Sequence, residues 1–309
     1  MPQSRSPFRI GTRGSKLALA QAGLVGDALA ARGCACELVI LKTTGDRITD
    51  RSLADAGGKG LFTKELDEAL LSRNIDLAVH SMKDVPVALP DGLEIAALLP
   101  REDPRDAFLS HKAKSLADLP RGAGIGTSSV RRGALVLRAR PDLEIALLRG
   151  NVDTRLAKLD AGNFDAILLA LAGLKRLGLE SRATAVLAAE DWLPALSQGA
   201  IGIEIRSADE SARQAVAGLN DRATAIALAC ERAFQAALDG SCRTPIGGLA
   251  EYAEGTLRFR GEVTAPDGSG FAETELSCTL GEDAESEASR QGREAGLALK
   301  PRAQQWLAL

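Results

Sequence analysis

Apolar residues along the chain follow two alternating patterns. Short runs rich in Val, Ile and Leu give way to longer stretches in which apolar positions return every three or four residues. The first pattern marks strands and the second amphipathic helices. Phe8-Arg9-Ile10 reads as a strand leading into Gly11-Thr12-Arg13-Gly14-Ser15, and a helix is expected from Lys16 to Ala31. Cys36–Leu41 reads as a strand, Leu61–Ser72 as a helix and Ile75–Val79 as a strand. After Pro100 the alternation resumes. Gly124–Gly126 is a strand end, Ser129–Arg140 a helix, Leu143–Leu147 a strand, Asn151–Ala161 a helix and Ala166–Ala170 a strand. This order predicts an α/β fold with largely parallel sheets.

Two breaks interrupt the alternation. One lies at Leu99-Pro100-Arg101-Glu102-Asp103-Pro104, charged and with two prolines, the other at Leu193–Gly199. The strand Ile201–Ile205 after the second break is placed to return to the first sheet. The reading is therefore two α/β lobes around a cleft, residues 1–99 with 197–219 and residues 100–196. Ligands bind in such clefts at strand C-terminal ends. Residues 220–309 change character, with a helix Arg222–Leu238, strands Leu257–Val263 and Phe271–Leu280 and a helix Asp283–Leu299. They read as a separate α+β domain. No internal repeat is visible.

Composition narrows the function. The 309 residues are 45% hydrophobic and 26% charged, which suits a soluble globular chain rather than a disordered one. A net charge of −3 and 3% aromatics argue against a basic nucleic-acid binder or a base-stacking platform. No apolar run is long enough to span a membrane, and Met1–Arg5 does not read as a signal peptide. Five cysteines, an odd number, suggest reduced thiols and a cytoplasmic location. His80 and His111 stand in no metal-ligand spacing, so no metal is expected. Gly122-Ala123-Gly124-Ile125-Gly126-Thr127 has threonine where a dinucleotide fingerprint needs its third glycine. Gly57-Gly58-Lys59-Gly60 lacks the Ser or Thr that follows Lys in a phosphate loop.

Three turns before helices stand beside arginines: Gly11–Ser15 with Arg13, Thr127-Ser128-Ser129 with Arg131 and Arg132, and Arg149-Gly150-Asn151 with Arg155. Helix N-termini bind anions through free N–H groups, and Arg adds a planar fork for carboxylates. At any one turn, Ser128 or Asn151 acting as a plain helix cap explains as much. Three such turns favour a shared anion site, because cations in a first helical turn cost about 0.3–1 kcal/mol each. A second signal is His80-Ser81-Met82-Lys83-Asp84-Val85-Pro86, where Pro86 keeps Val85 out of helical geometry and fixes the turn carrying Asp84. The competing reading is a surface turn with an exposed Lys83–Asp84 pair. A third signal is Cys242. Cys230 shares a helix face with Ile226, Phe234 and Leu238, and Cys36 alternates with Leu38 and Ile40, so both read as packed. Cys242 instead lies in the polar turn Asp239–Pro245, next to Arg243, which favours the thiolate.

These residues fall within stretches that resemble the porphobilinogen deaminase family, also called hydroxymethylbilane synthases. The stretches are Gly57–Glu65, Ala78–Val87, Arg101–Phe108, Gly126–Arg132, Leu148–Arg155, Ala170–Leu177, Gln198–Glu204 and Gly240–Gly248, in family order across nearly the whole chain. Small departures occur at Gly14, Lys16 and Ser197. The resemblance implies two lobes like those of periplasmic binding proteins and a third domain carrying the cysteine loop. It implies a transferase that joins four porphobilinogen molecules head to tail, releasing ammonia at each step, and then frees hydroxymethylbilane with water. Cys242 would hold a dipyrromethane primer through a thioether.

The same resemblance assigns the residues. Asp84 would stabilise the cation left when porphobilinogen loses ammonia. One such pair at ~4 Å and an effective dielectric near 20 is worth ~4 kcal/mol, roughly a thousandfold in rate. Lys83, Asp84, Ser128, Ser129, Arg131, Arg132 and Arg155 would hold the cofactor. Arg13, Ser15, Arg149, Arg176 and Gln198 would hold substrate, and Lys59 and Phe62 would belong to a lid. A monomer with neither nucleic-acid nor membrane partner is expected. A non-catalytic two-lobe anion-binding protein is the alternative. The absent signal peptide and the reactive cysteine turn argue against it.

Overall fold

The computed structural model describes residues 7–47, 60–240 and 244–307. They fall into two compact units. One holds residues 7–47, 60–101 and 200–222, the other residues 102–199, 223–240 and 244–307.

In the first unit a five-stranded sheet runs in the order Cys36–Leu41, Phe8–Arg13, Leu77–Ser81, Ile201–Arg206, Leu93–Leu98. The first three are parallel, and Ile201–Arg206 is antiparallel to both of its neighbours. The strand after the second break thus returns to the first sheet as expected, as its one reversed member. The helix Lys16–Ala30 lays Ala22, Val25 and Leu29 on Ile10, Leu77, Ile203 and Ile205. Cys36–Leu41 pairs on one side only among the described strands, and its Leu38 and Ile40 are exposed. Alternation at Cys36, Leu38 and Ile40 therefore reports a strand but not the buried face expected for it. Gly202 is required by packing, since a Cβ there would come 2.1 Å from Met82 Sδ. The buried Met82 side chain packs against Gly202, and Met82 opens the turn that follows the strand Leu77–Ser81.

The second unit repeats this topology. Its sheet runs Glu144–Ala146, Gly124–Gly126, Ala166–Ala170, Asp106–Leu109, Ala185–Val186. Again the first three are parallel and the fourth is reversed. The C-terminal part adds three antiparallel strands, Ile246–Ala253, Thr256–Thr264 and Phe271–Thr279. The helices Arg222–Ala237 and Ala284–Leu307 share a core with them, built around Phe234 and Phe259. A Cβ on Gly292 would come 2.0 Å from the Cys230 carbonyl oxygen, so glycine lets the two helices approach closely. Cys230 is fully buried, and burial pushes its thiol pKa up, as suits a packed residue. The last helix runs past the expected Leu299 and through Pro301 to Leu307. Pro301 and Leu297 are exposed, so water can replace the hydrogen bond that proline removes.

Candidate active site

In the first unit, chemistry gathers at the C-terminal ends of two parallel strands. Phe8–Arg13 ends on Arg13, and Ser15 caps the next helix by accepting a hydrogen bond from the Ala18 N–H at 3.2 Å. The Arg13 guanidinium stacks over the Phe62 ring, 4.1 Å from its centroid. Leu77–Ser81 runs into a single 3-10 turn, Met82–Asp84. The Val85 N–H donates to the Met82 carbonyl, and Val85 is extended with φ −85° and ψ 125°. That is the geometry Pro86 demands. A cavity of about 60 Å³ opens here, with Arg13, Ser15, Gln21, Phe62, Ser81 and Asp84 in its wall. Lys83 and Asp84 are half-buried rather than a freely exposed pair. Cys242 and Lys59 lie outside the described residues.

In the second unit the arginines expected at a helix start turn inward. The helix Val130–Ala139 is capped by Ser129, which accepts from the Arg132 N–H, so Ser129 rather than Ser128 is the cap. Arg131 and Arg132 are buried. Each donates through Nη2 to one oxygen of Asp106, at 2.7 Å in both cases. Trp192 Nε1 at 3.0 Å and Gln198 Nε2 at 2.8 Å donate to the same carboxylate. Burial alone would raise the Asp106 pKa, but Arg131 and Arg132 outweigh it and hold the carboxyl well below the usual carboxylate range. Gln198, expected on the substrate, is only 1% exposed and spends its amide on Asp106 and the Pro104 carbonyl.

The remaining candidates are spread through the same unit. Asn151 caps the helix Val152–Asp160, as the plain reading had it. Arg155 Nε donates to the Gly150 carbonyl at 2.8 Å. Gly150 has φ +115°, a conformation glycine alone adopts easily, and it joins the buried Arg149 to this helix. Arg176 ends the helix Leu171–Arg176 and donates to the Gly199 carbonyl. Burial lowers its pKa.

Sequence reasoning missed the buried carboxylates. Asp106 lies just after the charged, proline-containing stretch Leu99–Pro104 that reads as a boundary. In the first unit Asp67, His80 and Glu204 come together with one potential ligand atom each, all within 4.8 Å. His80 Nε2 lies 2.9 Å from Glu204 Oε2.

Two family models cover nearly the whole chain. Residues 8–214 match the porphobilinogen deaminase, dipyromethane cofactor binding domain, and residues 225–300 match the porphobilinogen deaminase C-terminal domain. The chain belongs to the porphobilinogen deaminase family. The porphobilinogen deaminase of Nitrobacter hamburgensis is 54% identical over 95% of this chain and 93% of its own. That of Nitrobacter winogradskyi is 53% identical over the same shares. Among solved structures, a periplasmic substrate-binding protein of an ABC transporter from Coxiella burnetii is similar with a TM-score of 0.46 and 16% identity, over 70% of this chain and 93% of that one. The family matches favour the enzyme over a non-catalytic anion-binding protein.

The donor set of the second unit fits the family's dipyrromethane cofactor. Arg131 Nε and Arg132 Nε are buried with no hydrogen-bond partner. Unpaired buried donors cost about 1–3 kcal/mol each, and a carboxylate would satisfy them.

Proposed function

We propose that this chain is the transferase that condenses four porphobilinogen molecules head to tail with loss of ammonia, and releases hydroxymethylbilane by hydrolysis. The observation that carries the reading is the placement of Asp84 on a fixed turn, in the wall of a cavity it shares with the Arg13 guanidinium. A carboxylate there opposes positive charge, while Arg13 takes a carboxylate of the same substrate. Dipyrromethane, joined through a thioether at Cys242, supplies the pyrrole end to which each new unit is added.

The other residues act by binding and orientation. Arg131 and Arg132, with Nη2 of each fixed by Asp106, keep Nε for an anionic ligand. Lys83, Ser128 and Arg155 contact cofactor carboxylates, and Arg149 and Arg176 hold those of added units. Ser15 and Ser129 act chiefly as helix caps. Phe62 packs on Arg13 and covers it as part of a lid. Gln198 positions Asp106. Three domains, residues 1–99 with 197–219, 100–196 and 220–309, a monomeric state and a cytoplasmic location belong to the same reading. The division into domains is supported by a C-terminal core that, apart from Leu196, draws only on residues 226–307.

Asp84→Asn tests this directly. With preassembled cofactor supplied, the variant should consume porphobilinogen about a thousandfold more slowly, as expected for one lost charge pair of ~4 kcal/mol. A wild-type kcat would refute the role.

A further inference from the structure

We propose that Asp67, His80 and Glu204 form a proton-sharing cluster that positions the turn carrying Asp84. The three come from separate elements, the helix Lys64–Leu71, the strand Leu77–Ser81 and the reversed strand Ile201–Arg206. In the antiparallel register His80 pairs with Gly202 and Ala78 with Glu204, so His80 and Glu204 are diagonal neighbours on one face. His80 is 5% and Glu204 1% exposed. Glu204 Oε1 and Asp67 Oδ1 are buried without a hydrogen-bond partner. Two carboxylates beside one imidazole in a buried site do not both ionise freely, and a proton shared between the unpaired oxygens resolves the conflict.

The groups facing Asp67 are Glu204, His80 and the Thr63 hydroxyl. Burial, and then Glu204, push the Asp67 carboxyl up to about 7, while His80 opposes them. The cluster also reaches the site. His80 lines the cavity that Asp84 lines. Ser81 accepts from Gln21 Nε2 at 2.9 Å, and the Met82 N–H donates to the Ala200 carbonyl, next to the reversed strand. Holding His80 against Glu204 therefore fixes the strand end from which the Asp84 turn departs.

The sign of the pH dependence follows. Folded Asp67 keeps a proton that the unfolded chain gives up above about 4, so its protonation favours folding least at high pH. Stability from this group is full in acid and is lost as pH rises to about 7, then stays level. Asp67→Asn carries the protonated shape at every pH. The experiment compares thermal unfolding and turnover of holoenzyme between pH 5 and 8.5 for wild type, Asp67→Asn and Glu204→Gln. The Tm of Asp67→Asn minus that of wild type should rise by a few degrees up to neutrality and then level. The kcat profile of wild type should carry a step near pH 7 that both variants lack. If Asp67→Asn does not fold, Glu204→Gln should show the same two changes alone. Parallel pH profiles in wild type and variants overturn the proposal. So does a Tm rise with added Zn²⁺ in wild type that His80→Ala abolishes, which would make the cluster a metal site. The activity arm rests on the role proposed for Asp84, but the unfolding arm does not, so failure of one is separable from failure of the other.

Discussion

Two buried carboxylates sit on equivalent strands of the two sheets, and their surroundings are opposite. Each sheet has one reversed strand in its fourth position. In the second unit that strand begins with Asp106, which receives two guanidinium groups, an indole and an amide. In the first unit it carries Glu204, which faces another carboxylate and a single imidazole. The equivalent strand carries in one sheet a carboxylate at its start that anchors cations, and in the other a carboxylate further along that sits beside a second carboxylate. What differs is the count of positive partners, two guanidinium groups for Asp106 against a single imidazole for Glu204.

The largest expected effect comes from neutralising the anchor. Asp106→Asn leaves Arg131 and Arg132 as buried cations without a counter-charge, and breaking such a buried pair costs about 3–5 kcal/mol. Glu204→Gln, the same change on the other strand, relieves a crowding of carboxylates and should cost far less. Urea unfolding of both variants measures the contrast, and equal losses would erase it. The pH dependences should differ too. With its folded pKa depressed, Asp106 contributes stability that is present at neutral pH and is lost only as pH falls below about 4.

The next effect concerns the arginines. Removing a buried charge-assisted hydrogen bond costs ~1.5–3 kcal/mol, ten- to a hundredfold in affinity or rate. Arg132→Ala should stop cofactor assembly or the first addition. Arg176→Ala should allow early additions and let later intermediates accumulate. Mass separation of the covalent intermediates distinguishes the two, and a shared stalling step would contradict an arginine path used in sequence. The smallest effect is Ser129→Ala, which removes the cap of the helix Val130–Ala139 and should cost about 1 kcal/mol in unfolding free energy.

Much of this architecture was legible in the sequence because it is local. Cys36–Leu41 and Ala166–Ala170 have the limits their apolar runs suggest, and Pro86 alone foretells the extended Val85. The strand Asp106–Leu109 was not legible. It has four residues, follows Pro104, and opens on a charge whose partners lie 25 to 92 residues away. Ile246–Ala253 was hidden by Gly247 and Gly248, which look like a turn. A Cβ on Gly248 would come 2.6 Å from Leu196 Cδ2, so glycine there serves close packing. Beyond the two lobes and the return of Ile201–Arg206 to the first sheet, the strand order of each sheet was not legible, because it depends on distant pairing and not on residue type. The inward turn of Arg131 and Arg132 was missed for the same reason, since the spacing that marks a helix start does not say which way a long side chain points.

The proposed reaction depends above all on a pyrrole primer held on Cys242. The most direct test is the intact mass of the purified protein beside that of Cys242→Ser. The wild-type chain should carry a dipyrromethane adduct and the folded variant none. An unmodified wild-type chain with full activity, or an adduct that survives on Cys242→Ser, would contradict it.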